Sequence, residues 1–244
     1  MILKTEAIVL KAFDYRETSR IATFFTKDHG KVSGVLKGIR TDPRKFGSSL
    51  EKYTINDIVY YPSRNSDLHL VSQCDIKEFF QPVRQDLQKS MAASYVLELV
   101  NKIMPAEEHN PRIYRLMTDF LRGLEEAADV NQLVHMFQIK TLLYSGFRPH
   151  LDACLKCHKK IAGQARFSMK EGGLVCMDCP SGDQAEHFIS KGSVASILHI
   201  EKNEWANCLK LKLSEGTKKE LKYILNNFLI FHLGRNLRSA QYLA

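Results

Sequence analysis

An α+β fold class follows from three observations on this 244-residue chain. Five short β-rich runs occupy residues 1–80. The apolar period then changes from strand-like to helical after Pro82 and stays helical for three consecutive segments. Two Cys-x-x-Cys pairs, Cys154/Cys157 and Cys176/Cys179, sit in the middle of the helical part. Together they predict a small N-terminal β-barrel followed by an α-helical domain that carries a four-cysteine zinc module.

In the first eighty residues, Thr5–Phe13 and Arg20–Thr26 are β-rich runs. Lys27-Asp28-His29-Gly30-Lys31 makes a hairpin turn into Val32–Leu36, with the glycine supplying positive φ. Lys37–Ser49 is polar, contains Gly38, Pro43 and Gly47, and reads as a loop. Leu50–Tyr61 and Leu68–Phe80 give two more strand regions around a turn-rich stretch from Pro62 to Asp67. Five such strands predict a closed or nearly closed barrel, of which the OB type is the natural candidate and a small SH3-like barrel fits the same pattern.

Asp86–Met104 places Leu87, Met91, Tyr95, Val96, Leu99, Val100 and Ile103 at helical spacing, and Pro105 follows. Asn110-Pro111 opens a second helix with Ile113, Leu116, Met117, Phe120, Leu121 and Leu124 on one face. Asn131–Gly146 is a third, with Gly146 suited to its C-cap. These apolar stripes are expected in the core. Further helices are predicted over Ser190–Glu201 and Ser214–Arg238, the latter with Gly234 near its end. The expected domains are 1–80 for the barrel and 81–244 for the helices, with the zinc module inserted at 151–182.

The cysteine spacing carries the strongest chemical signal. Two residues between cysteines let one tight turn aim two thiolates at one ion, and two such turns complete a tetrahedron. Ala165–Met169 has strand character, Lys170-Glu171-Gly172-Gly173 supplies a turn, and Leu174-Val175 leads back to the second pair. Cys154, Cys157, Cys176 and Cys179 are therefore expected to hold a structural Zn2+ in a site with no open position. The paired spacing argues against four unrelated cysteines, and the absence of a βαβ context argues against a thioredoxin-type pair. His158 could replace a thiolate, but four are already present. Cys74 and Cys208 remain and are expected to be buried thiols, normal in a reducing compartment.

The composition, 44% hydrophobic and 25% charged, is that of ordinary globular proteins. No run approaches the ~20 apolar residues of a membrane span, and the N-terminus lacks a signal-peptide pattern, so a cytoplasmic protein with no membrane association is expected. Net charge is +8, which favours anionic partners. Between Arg16 and Lys45, eight bases face three acids, and from Lys210 to Arg238 seven bases face two. Arg20, Lys31, Lys37, Arg40, Arg44 and Lys45 lie on the predicted hairpin and adjoining loop, where long basic side chains can follow a phosphate backbone. Tyr15, Phe24, Phe25 and Phe46 are the nearby aromatics; they could stack bases, although burial is expected for each.

No phosphate-binding Gly-rich loop, His-Glu-x-x-His or nucleophile elbow occurs, so no catalytic residue is named and a non-enzymatic role is expected. The carboxylate pairs Glu107-Glu108 and Glu125-Glu126 read as solvated helix ends.

Several stretches, in order, resemble one family. They are Ala7–Lys11 with Tyr15–Arg20, Thr26–Lys31 with Leu36–Arg40, Tyr144–Pro149 before Cys154, and His232–Ser239. Together they are similar to the bacterial recombination mediator RecO family over essentially the whole chain. Cys-Leu-Lys-Cys-His departs from the Pro and Gly that many members carry around the first knuckle. The resemblance implies a nucleoid-associated role in recombinational DNA repair: binding single- and double-stranded DNA, annealing complementary strands, binding single-strand-binding protein, and acting with RecR to load RecA. The alternative from charge and cysteines alone is a zinc-ribbon transcription or RNA-binding factor. A metal-dependent nuclease would need clustered carboxylates.

Overall fold

The computed structural model describes residues 1–42, 46, 50–161, 163–180 and 187–243. The chain forms two compact units, Met1–Ala128 and Asp129–Tyr242. The first unit thus joins three helices to the strands, although the change from strand to helix itself comes at residue 80.

Five strands build the first unit: β1 (Leu3–Tyr15), β2 (Ser19–Thr26), β3 (Gly30–Leu36), β4 (Thr54–Tyr61) and β5 (Leu68–Phe79). They close into a barrel in the order β1-β2-β3-β5-β4. Every neighbouring pair is antiparallel except β3 and β5, which run parallel. That parallel closure, with β4 returning to pair with β1, is the five-stranded Greek-key arrangement of an OB barrel.

Inside lie Ala7, Val9, Ala22, Phe24, Val32, Leu36, Ile39, Phe46, Ile58, Tyr60, Val71 and Cys74. Gly34 sits at the closure, where a Cβ would come within 2.5 Å of Val71 Cγ2, so only glycine lets β3 and β5 meet. β3 alternates cleanly between buried and half-buried residues. β1 does not: Ala7 to Leu10 are all buried, because α2 packs on its outer side while the core covers the inner one.

α1 (Gln81–Gln85), α2 (Leu87–Ile103) and α3 (Pro111–Glu126) complete this unit. Asp86 and Asn110 cap the latter two by accepting the amide N–H groups of Lys89 and Ile113.

In the second unit, α4 (Val130–Tyr144) is capped by Asp129, which accepts the Gln132 N–H. It ends in a Schellman turn: Gly146 is left-handed at φ 83°, and the Phe147 N–H donates to the Leu142 carbonyl at 2.9 Å. A three-stranded sheet follows, with β6 (Ala165–Ser168) between β7 (Gly173–Cys176) and β8 (His187–Ile189). Then come α5 (Lys191–Lys202), the short α6 (Trp205–Cys208), α7 (Glu215–Leu233) and a 3-10 turn at Arg238–Tyr242. Phe167 of β6 meets Phe228 of α7 edge-on at 5.4 Å, which ties the small sheet to the helices.

The sequence places α2, α3, α4, α5 and the β6–β7 hairpin within a residue or two. It extends α7 to Arg238, but the helix stops at Leu233: Gly234 turns left-handed at φ 67° and its N–H closes the last turn on Ile230. α1, β8 and α6 are too short to carry a periodicity of their own, and the sequence reading does not contain them. Cys74 and Cys208 are buried thiols as expected. Among the described residues no helix is long and apolar enough to cross a membrane.

Candidate metal centre and nucleic-acid interface

Cys154 and Cys157 stand in the turn that precedes the small sheet, Cys176 ends β7, and Cys179 follows in the next turn. Backbone hydrogen bonds join the two halves. The His150 N–H donates to the Gly172 carbonyl, and the Leu155 and Leu174 N–H groups donate to the carbonyls of Leu174 and His150. Gly173 permits this approach, since a Cβ there would lie 2.3 Å from the His150 oxygen.

The four Sγ atoms all lie within 4.8 Å of one another. Cys154 and Cys179 are separated by 3.9 Å, Cys157 and Cys176 by 3.7 Å. Four sulfurs placed about 2.3 Å from a central ion at tetrahedral corners are about 3.8 Å apart, so the cluster matches a four-thiolate site. The amides of Lys156 and Cys176 donate to Cys154 Sγ at 3.4 and 3.3 Å. Burial opposes the Cys154 thiolate, but the amide donors of Cys157, Cys176 and Lys156 outweigh it and bring its pKa down to about 6. Cys179 goes the other way: the hydrogen bond with Cys176, then burial and the other thiols, push it up to about 12. One thiolate forms readily in this cluster and four crowd each other, which is the condition a divalent cation relieves.

Arg166 of β6 adds a brace that the spacing did not reveal. Its guanidinium donates to the backbone carbonyls of Cys176 and Cys179, holding the second knuckle's turn. In the first knuckle, the Cys154 carbonyl accepts the His158 N–H at 2.9 Å and His158 adopts φ 60°. This is the left-handed position that glycine fills best, so the knuckle keeps its turn at the cost of a side chain in a disfavoured region.

The basic residues of the barrel are less uniform. The turn after β3 carries Lys37 and Arg40, both exposed, around the positive-φ Gly38, while Ile39 between them is buried in the core. The Arg40 N–H donates to the Thr18 carbonyl, which lays this turn against the β1–β2 turn. Arg20 and Arg40 both reach Asp14, at 3.2 and 3.7 Å, so one carboxylate neutralises part of the cluster. Arg16, in the β1–β2 turn, is exposed with its guanidinium 5.2 Å from the Tyr15 ring centroid.

Lys31 is placed apart from these. Its ammonium donates to the Asn101 carbonyl at 2.9 Å and to that of Met104, closing the C-terminal end of α2, and burial lowers its pKa. Arg44 and Lys45 lie outside the described residues. Phe24, Phe25 and Phe46 are fully buried, as expected, whereas Tyr15 is only half-buried and lies outside the core. Asp14 and Arg166 are the participants that sequence reading missed; charge counting has no means of pairing residues across strands.

Comparison with known proteins covers the whole chain. Residues 1–80 match the family model described as recombination protein O N terminal, and residues 84–241 match recombination protein O C terminal. The DNA repair protein RecO of Alkaliphilus metalliredigens is 30% identical over 236 residues, spanning 96% of this chain and 95% of the relative. That of Moorella thermoacetica is 28% identical over 244 residues, spanning 99% and 90%. Two family models that together run from the first strand to the last turn, an OB barrel and relatives matched end to end lead to one conclusion: the chain belongs to the RecO family of DNA repair proteins.

Proposed function

We propose that this protein is a non-enzymatic recombination mediator. It binds single- and double-stranded DNA through phosphate contacts, anneals complementary strands, and works with RecR to load RecA on DNA coated by single-strand-binding protein. Residues 1–80 act as the DNA-binding domain and residues 81–244 as the helical domain with the metal module at 151–182. The match to the RecO family over both halves of the chain carries this reading.

The exposed Lys37 and Arg40, with Arg20 beside them, support it as the phosphate-facing group, to which Arg44 and Lys45 of the same loop are added. Lys31 contributes to this surface by fixing α2 against the barrel strands of its own unit. Phosphate contact gives little sequence preference and strong salt dependence. Annealing then needs no bond chemistry: a basic surface screens two backbones, the strands approach, and base pairing supplies the free energy.

In the metal centre Cys154, Cys157, Cys176 and Cys179 hold Zn2+, which staples the turns and takes no part in DNA chemistry. The protein works in the cytoplasm at the nucleoid.

The test is annealing of complementary DNA coated with the cognate single-strand-binding protein, with and without RecR. Annealing well above the protein-free rate is expected. A protein that fails to anneal, yet binds RNA in preference to DNA, would move it to the RNA-binding class.

A further inference from the structure

One carboxylate stands among the cations of the barrel rim. Asp14 of β1 lies directly opposite Arg20 of β2, and residues paired in this way share a face of the sheet. Its Oδ1 is 3.2 Å from Arg20 Nε, and its Oδ2 is 3.7 Å from Arg40 Nε in the turn after β3. The Arg40 backbone N–H donates to the Thr18 carbonyl at 3.0 Å, and its guanidinium donates to the Arg16 carbonyl at 3.4 Å. The turn therefore carries Arg40 to this place without needing the carboxylate. Arg20 pairs in turn with Leu36, and Lys37 follows.

We propose that Asp14 is a built-in competitor for DNA phosphate: it occupies Arg20 and Arg40 between contacts and recovers them when a phosphate leaves. The inference rests on the reading of this rim as the phosphate-facing group and adds how its grip is limited.

The chemistry of the two anions is interchangeable here. A carboxylate oxygen and a phosphate oxygen both accept charge-assisted hydrogen bonds from a guanidinium, so either satisfies these arginines. Exposure makes the exchange possible. The Asp14 side chain is 57% exposed, and those of Arg20 and Arg40 are 30% and 44% exposed. Ion pairs this open hold weakly, so an arriving phosphate can displace the carboxylate. The fold does not depend on the contact either. β1 and β2 stay paired from Ala7 and Thr26 to Tyr15 and Ser19, and Ala7, Val9, Ala22 and Phe24 are buried in the core beneath them.

Charge balance sets the consequence. Two guanidiniums and one carboxylate leave one net positive charge, which a single phosphate neutralises. Without the carboxylate the same two arginines would neutralise two phosphates. A rim that closes its balance with one phosphate lets a strand slip and shift register, as the pairing of complementary strands requires.

The full chain and its Asp14→Asn and Glu17→Gln variants are titrated with a labelled oligothymidine by fluorescence anisotropy over a salt series, and dissociation is followed by stopped flow. Glu17 is exposed in the turn between β1 and β2 and carries the same charge without bridging the two arginines, so its variant reports the long-range field alone. Asp14→Asn should bind about 5- to 10-fold more tightly at low salt, the factor that a unit charge at contact is worth in water. Its salt slope should steepen by about 0.7, one further phosphate contact, and its dissociation should slow in proportion. Annealing should become slower although binding is tighter. Glu17→Gln should raise affinity less and leave the slope alone. Asp14→Glu keeps the charge and should restore the parent values, and the melting temperature should be unchanged throughout.

An Asp14→Asn variant that matches the parent, or matches Glu17→Gln, in affinity, slope and dissociation overturns the proposal. If Lys37→Ala/Arg40→Ala still weakens binding in that case, the phosphate reading stands. If Lys37→Ala/Arg40→Ala binds like the parent, the rim does not meet phosphate and both fall. If Asp14→Asn melts lower and binds more weakly, Asp14 is a brace of the rim and the competitor role is overturned.

Discussion

The cysteine knuckles and the basic barrel rim are both polar clusters, and they are built on opposite plans. In the knuckles every donor converges: four Sγ atoms within 4.8 Å, amides directed at Cys154, and Arg166 spanning two carbonyls behind them. On the rim Lys37 and Arg40 face solvent, and the carboxylate of Asp14, shared by Arg20 and Arg40, neutralises only part of the charge. An enclosed cluster spends its interaction energy on folding; an exposed one keeps part of it for a ligand. Lys31 is the boundary case, basic and on the barrel, but turned inward onto the end of a helix.

The knuckle side of this contrast should give the largest effect. Cys154→Ser, or removal of metal by a strong chelator, should release Zn2+ and unfold the second unit, since structural zinc contributes an apparent ~10 kcal/mol or more to folding. Metal analysis beside a circular dichroism melt reads this. A metal-free sample that melts like the parent would remove the metal centre and with it half of the contrast.

Next is the boundary case. Lys31→Met leaves two part-buried carbonyls at the end of α2 without their donor, with an expected stability loss of about 1–3 kcal/mol in urea unfolding. The salt slope of DNA binding should stay as it was. If that slope flattened instead, Lys31 would belong with the phosphate-facing group.

The rim proper should behave in the opposite manner. Lys37→Ala with Arg40→Ala should leave the melting temperature and zinc content alone. The slope of log affinity against log salt on single-stranded DNA should flatten by about 1.4, at ~0.7 per phosphate contact. Unrelated sequences should be affected alike. Equal slopes in parent and variant would shift attention to the basic stretch from Lys210 to Arg238.

The smallest effect returns to the knuckle. His158→Gly removes a side chain from a left-handed backbone position and should stabilise the metal-bound protein by about 1 kcal/mol, unless the looser unfolded chain offsets it. A lower melting temperature would mean that the imidazole contributes to the turn.

Local signals were legible wherever the physics is local. Asp86, Asn110, Ser190 and Ser214 cap helices by reaching amides three residues ahead, so those starts were readable from the chain. The end of α7 was readable too: Gly234 directly after Leu233 is a helix-stop signal. β8 was not: His187-Phe188-Ile189 becomes a strand only because β6 offers a free edge. Among the six basic candidates, proximity in sequence said nothing of which ammonium would meet Asn101 and which would face water.

By itself, then, the sequence determined the class of fold, the order of its parts and the clustering of the four cysteines, because hydrophobic period, capping and the reach of a two-residue turn act over a few residues. Tertiary structure decided which cations remain exposed, which aromatics are buried, and that Asp14 meets both Arg20 and Arg40. Those outcomes depend on barrel closure, which pairs residues from five separate stretches, and no local pattern in the chain encodes that register.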